Sequence, residues 1–161
     1  MQTLRTATLL LALAACVTAA AGTVTVSFIE PEHYADAGPS RGEREQTLAA
    51  LGLQMQRLGE RYLTAGQSLA VEVLDVDLAG QMRPVGRVPI ETRVMRGSAD
   101  WPRMTLRYTL AGPDGPAVHG EETIADMAYQ MQFPRYARMD PLHYEMQMLD
   151  QWFRERFGAA P

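Results

Sequence analysis

From Arg103 to Leu110 the chain alternates without a break, Met104, Leu106, Tyr108 and Leu110 against Arg103, Thr105, Arg107 and Thr109. That is the period of a strand with one face in a core and one in water. Gly112-Pro113-Asp114-Gly115 follows directly, a cluster that only a turn accommodates well, and the residues from Ala117 to about Ala125 read as the return strand. A sheet with one covered and one open face is thereby required, and the rest of the chain must supply the cover.

Two stretches do so. Ser40-Arg41-Gly42-Glu43 has the spacing of a capping box, and downstream Leu48, Leu51, Met55, Leu58 and Tyr62 recur at helical steps. Asp140-Pro141 supplies a second helix start, followed by the stripe Leu142, Met146, Leu149, Phe153 and Phe157. Thr23 to Ile29 alternates as a further strand. Ser68 to Leu78 is a strand whose pattern splits in the middle: Val71 and Val73 share a side with Asp75 and Asp77, whereas Leu74, Val76 and Leu78 share a side with Glu72. A bulge, or a twist out of the core, midway along reconciles the halves.

The element order is βαβββα. The expected fold is an α+β two-layer sandwich, a four-stranded, mainly antiparallel sheet with two amphipathic helices on one face. Gly80 to Pro102, with arginines at 83, 87, 93 and 96, reads as an irregular connection that is functional or mobile. Asp126 to Met139 is Met-rich and carries no clear period. Tyr144, Met148 and Trp152 widen the apolar face of the second helix, and a packed loop is expected to cover them rather than a partner.

The N-terminus bears on location. Arg5 precedes an unbroken run of apolar and small residues from Thr6 to Ala21, the pattern of a signal peptide. It is short and Ala-rich for a membrane span. Ala19-Ala20-Ala21 before Gly22 gives an A-x-A cleavage site, leaving residues 22–161 as one domain. Alternatively Leu13-Ala14-Ala15 precedes Cys16 as in a lipid-modified protein, with residues 1–15 removed and Cys16 the anchor. The expected location is the periplasm, with membrane attachment only where Cys16 is lipidated.

Composition excludes several chemistries. Cys16 is the only cysteine, so the domain has no disulfide and no thiolate of its own. All 15 basic residues are Arg, which removes lysine Schiff-base chemistry and the phosphate-loop lysine. Loss of Arg5 takes the formal charge from −4 to −5, against a nucleic-acid binder.

Candidate sites are few. Asp75 and Asp77, two apart on one strand, form a pair of oxygen donors for a divalent cation, but pairing with Arg103 or Arg107 on a neighbouring strand is the simpler expectation. Met127, Met131, Met139, Met146 and Met148 with His143 offer soft ligands for monovalent copper, against which Met146 fits the buried stripe. The serines at 27, 40, 68 and 98 stand in no nucleophile motif, and Glu32-His33 falls in a loop. A hydrolytic site assembled only in three dimensions stays open. The polar row Arg103, Thr105, Arg107 with His119, Glu121 and Thr123 on the return strand forms a possible surface for a carboxylate or phosphate, or else a solvated checkerboard.

Three segments together carry a likeness: Glu72 to Gly80, Trp101 to Tyr108 and Asp140 to Phe153. With Val24 to Asp36 and Arg41 to Glu45 they resemble an uncharacterised family of exported proteobacterial proteins, domain-of-unknown-function family 3016. The resemblance implies an envelope location and no reaction, catalytic residue or cofactor. The expectation is a non-catalytic binding or accessory module with an envelope partner or a small anionic ligand, the alternatives being a metal-binding protein or a hydrolase.

Overall fold

A computed structural model describes residues 22–84, 91–97, 99–132, 135–137 and 139–158. The proposed leader with Cys16, and Arg87, lie outside the described residues. The elements run β1 (Thr23–Phe28), α1 (Arg41–Tyr62), β2 (Ser68–Asp77), β3 (Gln81–Pro84), β4 (Glu91–Val94), β5 (Arg103–Ala111), β6 (Val118–Ala125) and α2 (His143–Phe157). The main sheet has the order β1-β2-β5-β6. The fold is α+β, as expected.

The sheet is mixed rather than simply antiparallel. β1 pairs with β2 in parallel, while β2 with β5 and β5 with β6 are antiparallel. The reason is connectivity: α1 occupies the link between β1 and β2, and a helical crossover returns the chain to the end at which it began. Alternation reports which face a residue takes but not strand direction.

The second correction concerns Gly80 to Pro102. β3 and β4 form a separate two-stranded antiparallel sheet, Gln81 opposite Val94 and Pro84 opposite Glu91. Four-residue strands containing Pro84 and two arginines do not show a readable alternation. The architecture is thus two helices and a mixed four-stranded sheet, with a small second sheet added.

Local chemistry explains the main elements. Ser40 is the N-cap of α1 and accepts the Glu43 N–H, while Glu43 accepts the Ser40 hydroxyl rather than its backbone N–H. Leu48, Leu51, Met55 and Leu58 are buried. Gly52 and Gly59 lie two turns apart on the same face. A Cβ at Gly59 would collide with Val24 and one at Gly52 would touch the Phe28 ring, so these glycines let α1 approach β1 closely. The β2 bulge occurs where the pattern splits: Val73 pairs with Leu106 and Asp75 with Thr105, leaving Leu74 unpaired. Leu69, Val71, Val73 and Val76 all then face the core.

α2 begins two residues later than the Asp140 cap implies, although Asp140 does accept the Leu142 N–H at 2.9 Å. Its widened face is covered from within. Tyr129 packs edge-on against Tyr144, Gln132 bonds Gln147, and Arg135 meets Asp150. Met148 and Trp152 are buried. Tyr129, Gln132 and Arg135 therefore cover α2 at Tyr144, Gln147 and Asp150, while Trp152 packs edge-on against Tyr108 of β5 and donates to Glu122 of β6.

Candidate binding groove and the polar surfaces

The starts of both helices and the added hairpin meet around a groove of about 380 Å³. Ala50 of α1, Leu78 after β2, Met82 of β3, and Leu142 and Met146 at the start of α2 give it an apolar lining. Glu43, Gln46 and Thr47 from α1, Arg93 from β4 and Asp140 before α2 add polar groups. A volume within about 300–1,000 Å³ with a mostly apolar wall is typical of small-molecule sites.

Arg93 fixes the hairpin in place. Its Nη1 donates to Asp36 Oδ2 at 2.8 Å and Nη2 to Oδ1 at 3.3 Å, and Nη1 also reaches the carbonyls of Ala79 and Gly80. Asp36 is itself held by an isolated parallel bridge to Asp77, and it accepts the Gly38 N–H. Behind this corner Glu145, 1% exposed, accepts the Ala79 N–H at 2.7 Å through Oε1. Its Oε2 has no partner among the described residues, and burial pushes the carboxyl above its usual range. Asp100 is the opposite case. Burial alone would raise it, but the Arg96 and Gly97 N–H groups and the Tyr129 hydroxyl outweigh burial and hold it below the usual range. Tyr129 is pushed up to about 12 by burial and by Asp100.

In the sequence Glu43 and Asp140 stood out only as helix-start acids, Leu142 and Met146 as members of the second helix's stripe, Met146 also as a soft ligand, and Arg93 as one of four arginines between Gly80 and Pro102. These residues and their partners come from four separated stretches, near 36–50, 78–100, 129 and 140–146, and no local spacing connects them.

The residues singled out in the sequence have partners of their own. Asp75 accepts the Ala35 N–H at 2.8 Å, and Asp77 pairs with Arg103 at 2.6 Å. Burial lifts Asp77 above its ordinary value despite that arginine. The two acids thus tie β2 to the Tyr34–Ala35 segment and to β5. The polar row forms on the open face between the two strands expected to neighbour each other, with Arg107 opposite Glu121, Thr105 opposite Thr123 and Thr109 opposite His119. Arg107 reaches Glu121 and Glu72, each at 2.9 Å, so two carboxylates flank its guanidinium. Thr105 and Thr123 share a 3.0 Å hydrogen bond, and Thr109 bonds the His119 ring.

The methionines are dispersed. Met127, Met131 and Met139 are exposed, Met148 is in the core and Met146 lines the groove. His143 Nδ1 contacts the Asp140 carbonyl, and His33 lies on the surface beside Glu30. Among the described residues no three His, Cys, Asp or Glu side chains cluster closely enough to hold a metal ion. No helix among them is long and apolar enough to cross a membrane.

No curated protein matches the sequence. The family model described as protein of unknown function (DUF3016) matches residues 22–155, which spans α1, the main sheet, the groove and α2 up to Glu155, and the chain belongs to that family.

Proposed function

We propose that the chain is an exported envelope protein whose domain is a non-catalytic binding module, with its ligand seated in the groove between the helix starts and the β3–β4 hairpin. The observation that carries the reading is the groove wall, in which Ala50, Leu78, Met82, Leu142 and Met146 present apolar surface beside a few fixed polar groups. Arg93 is engaged by a carboxylate and two carbonyls. A group so tied holds a wall in shape. The export half of the reading rests on Arg5, the run to Ala21 and the small residues before Gly22.

A neutral apolar dye, N-phenyl-1-naphthylamine, tests the groove. It should brighten on the wild-type domain, and Ala50→Trp, which fills the groove from α1, should abolish the enhancement while leaving circular dichroism unchanged. Equal enhancement by a folded Ala50→Trp variant removes the groove from consideration. Intact mass tests export: the envelope fraction should hold a chain beginning at Gly22 or at a lipid-bearing Cys16, and a chain there retaining Met1 overturns the leader.

A further inference from the structure

We infer that the groove selects a cationic amphiphile, an aliphatic body ending in an ammonium or guanidinium group. The inference rests on the groove reading above and adds the sign of the ligand's charge. Arg93 is the one cation among the described lining residues, and its charge is already met by the bidentate contact to Asp36. Two carboxylates line the same groove from different elements, Glu43 in the first turn of α1 and Asp140 before α2.

Each carboxylate retains capacity. Glu43 Oε2 accepts the Ser40 hydroxyl and Asp140 Oδ1 accepts the Leu142 N–H, and the hydrogen bonds of the described residues leave Glu43 Oε1 and Asp140 Oδ2 without donors. Acids at helix starts have an ordinary role, since the helix dipole places about half a positive charge there. That is also the measure of what it offsets. Two half charges against two full ones, with Arg93 matched by Asp36, leave the groove negative by about one charge. An ammonium meets attraction there, while a carboxylate or phosphate would have to draw Arg93 away from Asp36 and two carbonyls. The apolar lining includes Met82 and Met146, whose unbranched side chains adapt to a linear chain.

Displacement of the neutral dye from the intact mature protein by decylamine, decanol and decanoate, each below its micelle concentration, tests the charge. Decylamine should compete about tenfold more strongly than decanoate, with decanol between them, as two partly exposed ion pairs allow. The preference should shrink with salt, and each methylene added should strengthen binding about fourfold while the groove has room. Glu43→Gln with Asp140→Asn keeps both acceptor oxygens that serve the helix starts. It should abolish the preference for amine while leaving decanol unchanged, and Glu43→Gln alone should remove part of it. Decanoate competing as well as decylamine, or a preference that survives the double substitution, overturns the charge inference. The groove reading still stands in that case provided decanol displaces the dye from the wild type. Failure of all three to displace it sinks both.

Discussion

The two faces of the main sheet are made by the same strands and are held by different physics. On the helix-covered face Val71, Val73, Met104 and Leu106 are at most 1% exposed, and Tyr108 lies over Gly120, edge-on to Trp152 and Phe157. Gly120 leaves the space that the Tyr108 ring fills, so the ring supplies the cover that a β6 side chain would otherwise give. On the open face the same strands present Glu72, Arg103, Arg107 and Glu121 in half-exposed ion pairs. Apolar burial is worth about 25 cal/mol per Å², whereas an exposed ion pair is worth between nothing and about 1 kcal/mol. The comparison teaches that the covered face carries the stability. The open face is therefore free to vary at little cost to the fold.

The sharpest way to break that comparison is to cut the covered face at its centre. Leu106 is fully buried on β5 between β2 and β6. Leu106→Ala should cost about 2–5 kcal/mol, the range for a large-to-small change in a packed core. The shift in urea midpoint at unchanged slope reads it. A loss below about 1 kcal/mol would mean that the sheet does not derive its stability from that layer.

Next come the two buried carboxylates near the hairpin, which should respond to pH in opposite senses. Asp100 lies below its ordinary 3.8 in the folded state, so its stabilisation is present above 3.8 and is lost as pH falls through the folded value. Asp100→Asn should cost about 1–3 kcal/mol at pH 7, because the Arg96 and Gly97 N–H groups lose a charged acceptor. The deficit should narrow in acid. Glu145 lies above its ordinary 4.5, so the unfolded chain releases its proton first and stability falls as pH rises from about that value. Glu145→Gln keeps the acceptor for the Ala79 N–H and removes the titration. Its stability relative to wild type should therefore improve between pH 4 and pH 8, by on the order of 1 kcal/mol. Parallel pH profiles for the variant and wild type would exclude Glu145 as the titrating group.

Much of this was legible where the controlling interactions are local. The β5–β6 hairpin follows from uninterrupted alternation and a four-residue turn, while the register that places Arg107 beside Glu121 comes from the structure. The β2 bulge was visible because a slip of one residue moves every later side chain to the other face. The second stripe on α2 demanded a cover, and Tyr129 provides it at Tyr144 while Tyr108 of the sheet meets Trp152. The direction of β1 left no mark in its side chains. The β3–β4 hairpin was hidden because four-residue strands hold barely one full alternation. The groove was illegible for a different reason. Its walls come from residues far apart in sequence, and Glu43 and Asp140 read alone as helix-start acids, which they are.

The smallest expected effects belong to the open face, and they decide whether that face has a task of its own. Reversing Arg103 and Arg107 to glutamate would set like charges beside Asp77, Glu72 and Glu121 and so mix electrostatic repulsion with any loss of recognition. Neutral changes avoid this. Thr105→Val with Thr123→Val removes one exposed hydrogen bond between β-branched residues on paired strands, and should shift stability by less than about 0.5 kcal/mol. Arg103→Gln with Arg107→Gln should leave the protein folded and its urea midpoint close to wild type. Complementation of a deletion strain then separates the two faces. On the groove reading, the arginine variant complements fully while Ala50→Trp does not. Were the folded arginine variant to fail and Ala50→Trp to succeed, the ligand would belong to the guanidinium row on the open sheet, and the apolar groove would be only a gap left where the hairpin joins the helices.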